Sequence, residues 1–174
     1  MRVDKLTTKF QEALAEAQTL ALGGDHAYIE PSHVLVAMLR QDDGPKSLLQ
    51  RAGANVNGLA TAAETAMNRL PKVQGQDQVQ VSRDLIQLIQ AAEKDAIKRG
   101  DQYVASELFL FALCDHKGDW GKLAREHGLT RSSLEATVQA VRGGEKVQSA
   151  EAEGQREALK KYTLDLTERA RIGK

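Results

Sequence analysis

Sliding the 174-residue chain against itself by 75 positions aligns one half on the other without a gap, so the fold must be two copies of one unit. Ala17 meets Ala92, Ala21 meets Ala96, Tyr28 meets Tyr103, Leu35 meets Leu110, Ala37 meets Ala112, Leu48 meets Leu123, Gly53 meets Gly128 and Leu59 meets Leu134. Conservative pairs keep the same register: Thr7 with Ser82, Phe10 with Leu85, Ile29 with Val104, Asn55 with Thr130. Caps, turn glycines and apolar positions held together in this way mark a structural duplication rather than shared composition.

The spacing predicts four helices in each unit. Thr7 and Ser82 are N-cap residues whose hydroxyls can accept a free backbone N–H. Behind them apolar side chains recur at helical intervals, as Phe10, Ala13, Leu14, Ala17 and Ala21 in one unit and Leu85, Leu88, Ile89, Ala92 and Ala96 in the other. Both long helices stop at a glycine, Gly23 and Gly100. The second helix starts at Pro31, whose missing N–H would be unpaired at a first helical position anyway. It carries Val34, Leu35, Met38 and Leu39, and its counterpart after Ser106 carries Phe109, Leu110, Leu113 and Cys114. Apolar on nearly every side, these two must be central. A short third helix closes at Gly53 or Gly128, and a fourth runs from Asn55 to before Pro71, or from Thr130 to before Gly143.

The expected architecture is therefore all-α: two pseudo-repeats of four helices, repeat 1 over 1–72 and repeat 2 over 79–144, forming a duplicated domain over 1–144. Between them KVQGQDQVQ is polar, Gln-rich and without periodicity, a connector. No strand signal of any strength is present. After Gly143-Gly144 the chain turns charged, and 145–174 reads as a tether, with Leu159, Tyr162 and Leu166 on one side of a marginal helix.

Composition removes several classes of function. With 24 basic and 24 acidic residues the formal charge is zero, so no long-range field gathers nucleic acid or anionic lipid. No run of about 18 apolar residues is present to span a bilayer, and MRVDKLTTKF lacks the apolar core of a signal peptide, which points to a cytoplasmic protein without membrane or nucleic-acid partners. Nucleotide-binding glycine loops and the nucleophile elbow are absent. His26, His33, His116 and His127 show no metal-binding spacing, and Cys114-Asp115-His116 reads as a helix end rather than a ligand set. LAREHGLTRSSLEATV, residues 123–138, has helix-turn-helix spacing, but its second helix offers Arg131, two serines and Glu135 where base and phosphate contacts would be needed.

LTTKFQEALAEAQTLAL, HAYIEPSHVLVAML, KRGDQYVASELFLFAL and the closing ALKKYTLDLTERARIGK together resemble the N-terminal (Clp N) domain and linker of ClpB-type disaggregases of the Clp AAA+ family, over essentially the whole chain. The resemblance implies a mobile, non-enzymatic module that engages exposed segments of unfolded or aggregated proteins and passes them to a homohexameric threading ring. It binds no cofactor itself, ATP and Mg belonging to the ATPase domains of such proteins. It also implies that Thr7, Asp101 and Glu107 are polar positions linked to function, and that Leu88, Ala91, Asp95 and Leu108 lie in a peptide-binding groove, where Ala91 and Asp95 depart from the leucines often found. From the residues alone, Thr7 is an N-cap, Asp101 a turn residue, Glu107 a carboxylate favoured by the helix dipole, and Leu88 and Leu108 core positions. The same scaffold in related Clp unfoldases serves as an adaptor-docking domain, and helix-turn-helix DNA binding is the remote third reading.

Overall fold

A computed structural model describes residues 2–75 and 77–154. After a 3-10 turn at Val3–Lys5, repeat 1 forms α1 (Thr8–Gly23), α2 (Pro31–Arg40), α3 (Lys46–Arg51) and α4 (Val56–Asn68). Repeat 2 forms α5 (Arg83–Arg99), α6 (Ser106–Asp115), α7 (Asp119–Glu126) and α8 (Arg131–Arg142). The all-α fold of two four-helix units is as the periodicity dictates.

Local chemistry explains the boundaries. Thr7 and Ser82 cap α1 and α5 by accepting from the N–H groups of Phe10 and Leu85, and Asn55 and Thr130 do the same for α4 and α8. Gly53 and Gly128, at φ 87° and 73°, take the left-handed conformation that ends α3 and α7. A Cβ on Gly128 would meet the Gly53 carbonyl oxygen at 3.4 Å, an ordinary contact, so it is the positive φ that favours glycine there. In both central helices the first eight residues, Pro31–Met38 and Ser106–Leu113, are all buried.

The two units share one continuous core. Phe10 of α1 meets Phe109 of α6 edge to face at 5.9 Å across the repeat boundary. The seam is also exchanged in the backbone. Val104, just before α6, bridges to Leu6, just before α1; Val81, just before α5, pairs with Ile29, just before α2. Because 6 and 81, and 29 and 104, are 75 apart, each repeat lends an extended residue to the other in the same manner. The N–H groups of Thr7 and Ser82 donate reciprocally to the carbonyls of Val104 and Ile29, at 3.0 and 3.1 Å. α3 packs on α8 and α4 on α7, repeating the exchange at the other end.

This exchange produces the one architectural feature the periodicity does not announce. Tyr28–Ile29 (β1) and Gln80–Val81 (β2) form a two-residue parallel pair, and His26 bridges to Lys72. Segments this short carry no alternating pattern, since a tertiary partner makes them extended. Both ends of the connector are thereby tied to repeat 1.

His26 and His33 meet beneath that connector, with Nδ1 of His26 2.8 Å from Nε2 of His33. The N–H of Glu30 donates to Nδ1 of His33 at 2.8 Å, so His33 carries its proton on Nε2 and donates to His26. Both imidazoles are thus neutral. Burial, followed by the neighbouring His26, pushes His33 down to about 4. Below the ordinary histidine range the unfolded chain takes up a proton that the folded one refuses, so stability present above pH ~6.5 is lost as pH falls toward 4, by on the order of 3 kcal/mol. Urea unfolding between pH 7 and 4.5 is expected to show that decline, and the His33 ring resonances are expected to hold their neutral shifts down to pH ~5.

Candidate functional site

α5 packs against α6 and, on its solvent side, leaves a groove of about 400 Å³. One wall is a helical stripe of α5, Gln87, Leu88, Ala91, Lys94, Asp95 and Lys98, spaced so that all face the same way. Leu108, Ala112, Asp115 and His116 of α6 form the other, and Arg131 closes one end. All four positions assigned to a groove by resemblance, Leu88, Ala91, Asp95 and Leu108, are therefore brought together. Their accessibility differs. Leu108 is fully buried and Leu88 nearly so, while Ala91 is exposed. The leucines are a floor already spent on the core, and the surface open to a visitor comes from Ala91 and the flanking side chains.

The charged end of the groove is internally compensated. Arg131 pairs with Asp115, with Asp95 at 3.3 Å and with Glu135 at 3.4 Å. Arg99 reaches Asp95 at 2.9 Å and also Glu135. Both guanidiniums sit over the Phe111 ring, at 4.6 and 5.0 Å from its centroid. Arg131, the one cation at the start of the candidate recognition helix, is thus committed to carboxylates, and Ser133 to the α8 cap. Neighbouring Cys114 is a half-buried thiol pushed up to about 11 by burial and by Asp115. Among the described residues no three His, Cys, Asp or Glu side chains gather around a common point.

Thr7, Asp101 and Glu107 lie elsewhere, in a second, buried cluster. Arg142 is its hub: Nη1 donates to Asp101 at 2.9 Å, and Nε and Nη2 to Glu107 at 3.2 and 3.0 Å. Thr7, besides capping α1, donates its hydroxyl to Glu153 at 2.8 Å. The same Glu153 oxygen accepts from the Ser106 N–H at 2.9 Å. Burial, then the nearby Glu107, pushes the Glu153 carboxyl above the usual range, and its hydrogen bonds pull the other way. Asp101 also accepts from the N–H of Val147 at 3.0 Å. The stretch 145–154, placed in the tether by its composition, thus lies against the domain with Val147 and Glu153 buried.

Arg142, Val147 and Glu153 are not visible in the sequence as special residues. Arg142 looks like a last-turn cation and Glu153 like one acid among several. Only the repeat register offers a hint: Ala105 stands where repeat 1 has the capping residue Glu30, leaving the start of α6 without an acceptor of its own.

This geometry is that of a duplicated helical domain with an open groove on its second copy. The chain belongs to the Clp repeat (R) N-terminal domain family, whose model matches residues 5–127. It is 45% identical to the chaperone protein ClpB of Vibrio cholerae and 44% identical to that of Pseudomonas putida, each over all of this chain. It spans about a fifth of the length of those curated relatives, 20% and 21%. Its fold matches the Hsp104 N-terminal domain from Candida albicans with a TM-score of 0.75 at 21% identity, over 86% of this chain and 99% of that one. It also matches a ClpV N-domain solved in complex with a VipB peptide, with a TM-score of 0.66 at 19% identity, over 82% and 89% of the two chains.

Arg142 is 8% exposed and its two partners less so, which sets the sign of its removal. Arg142→Met leaves two buried carboxylates without their cation and is expected to cost about 3–5 kcal/mol in chemical denaturation. Glu64→Ala, which breaks the exposed pair with Arg40, is expected to cost under about 1 kcal/mol in the same assay.

Proposed function

We propose that this domain captures exposed apolar segments of unfolded or aggregated proteins in the α5–α6 groove and presents them to an ATP-driven ring. The observation that carries the reading is the groove itself, which is open to solvent and floored by Leu88, Leu108 and Ala112 on a domain of the Clp repeat family. Extended segments of varied sequence need a site with apolar area and few fixed polar demands; here Arg131 is paired with Asp95 and Asp115, and Lys94 and Lys98 are exposed cations on the wall. ClpB relatives matched along the full length of the chain support placement in a chaperone of that kind. The rest of the reading follows from that kinship: a homohexameric cytoplasmic parent, ATP and Mg held by other domains, and no nucleic-acid or membrane partner. Among the described residues no helix is long and apolar enough to cross a membrane.

A second reading is docking of one defined partner segment, as in the ClpV N-domain solved with a VipB peptide. The two are separated by what binds: many unrelated unfolded chains with weak, similar affinities, or one sequence tightly.

The burial of Leu108 decides which substitution tests the groove. A charge at Leu108 would enter the core and unfold the domain, whereas Ala91 faces outward. Ala91→Glu is expected to lower the affinity for a permanently unfolded, cysteine-blocked model protein at least about fivefold, with the thermal midpoint moved by under about 2 °C. NMR titration of the unaltered domain is expected to shift Ala91, Lys94 and Ala112. Shifts confined to other faces would remove the groove from the account.

A further inference from the structure

The buried polar cluster holds down a piece of chain that follows both repeats, and its bonds show how. Val147 is 2% exposed; its N–H donates to Asp101, and its carbonyl accepts from Gln102 and Tyr103 at 2.8 and 3.2 Å. Three residues on, the Ala150 carbonyl accepts from the Thr8 N–H at 2.8 Å. Glu153, 6% exposed, then joins the Thr7 hydroxyl to the Ser106 N–H. Those contacts fall at the beginnings of α1 and α6, the place where Leu6 and Val104 bridge the two repeats. Repeat 1 needs no such help, because Glu30 at the N-cap of α2 forms a capping box with His33. At the matching position α6 has Ala105, which has no acceptor, and the carboxylate arrives from Glu153 instead.

We propose that residues 145–154 form a releasable latch, with Val147 and Glu153 as its two catches, held by Thr7 and Asp101 directly and by Glu107 through Arg142. Only Val147 and Glu153 of these ten residues are buried, so the segment is held at a few points and opens at lower cost than the domain unfolds. Opening frees these ten residues from the surface of the two repeats. Those ten residues add up to roughly 33–36 Å of reach. The inference stands apart from the groove reading, because the Thr7–Asp101–Glu107 cluster contributes no residue to the groove wall.

The test uses the 174-residue chain with Cys114→Ser and a nitroxide at Glu151→Cys, an exposed position next to the Ala150–Thr8 contact. In the otherwise unaltered chain the label is expected to broaden amide signals at the start of α1. Glu153→Ala is expected to relieve that broadening and to speed hydrogen exchange of the Val147 and Gln102 amides at least about tenfold. Leu35 and Leu110 amides and binding of the unfolded model protein are expected to change by less than twofold. Glu153→Gln, which keeps a carbonyl acceptor, is expected to stay closed, and Val147→Ser provides an independent route to opening. Exchange that rises in step throughout the core, or a label and amides unmoved in both Glu153→Ala and Val147→Ser, would overturn the latch. Unchanged latch behaviour with lost binding in Ala91→Glu identifies the groove separately.

Discussion

The fold depends on the exchange at the repeat seam. Each half packs its central helix mainly within itself, α2 against α1 and α4 and α6 against α5 and α7, and the seam joins the two halves into one core. The Phe10–Phe109 contact crosses that seam, and the reciprocal backbone pairs at Leu6–Val104 and Ile29–Val81 close it symmetrically because their residues share the 75-residue register. The consequence is one core that runs without interruption through both four-helix units.

Seen from that seam, the groove is a by-product of packing that has been left uncovered. α5 contributes its stripe and α6 its lower edge, and the leucines facing the interior make the floor apolar without exposing much apolar area. Arg99 and Arg131 bind the neighbouring carboxylates to one another and to Phe111, so the rim keeps its shape while little net charge is presented. A shallow site of this composition suits brief, tolerant contacts better than tight recognition.

How much of this was legible before any coordinates depends on the range of the interaction. Helices, caps and terminating glycines follow from residues within about four positions of one another, and α1, α2, α4, α5 and α8 begin where Thr7, Pro31, Asn55, Ser82 and Thr130 indicate. Leu88, Ala91, Asp95 and Leu108 were placed by family resemblance, and the structure gathers them, although burial separates floor from wall. What sequence could not reveal lies across long separations. Glu153 meets Thr7 over 146 positions, Arg142 meets Asp101 over 41, and the His26–His33 contact needs the turn between them. Two-residue strands are likewise invisible, because nothing in Tyr28–Ile29 or Gln80–Val81 alone demands extension.

Duplication within a single polypeptide gives a freedom that self-association would deny. At one register position stand His33 and Leu108, both fully buried, the first closing a polar pair beneath the connector and the second flooring an open cleft. In a pair of identical subunits any substitution appears on both sides, so a polar pivot and a greasy floor could not occupy matched sites. Tandem copies escape that restriction: one half could become a rigid mount while the other diverged into a grip, with the geometry of their union left intact.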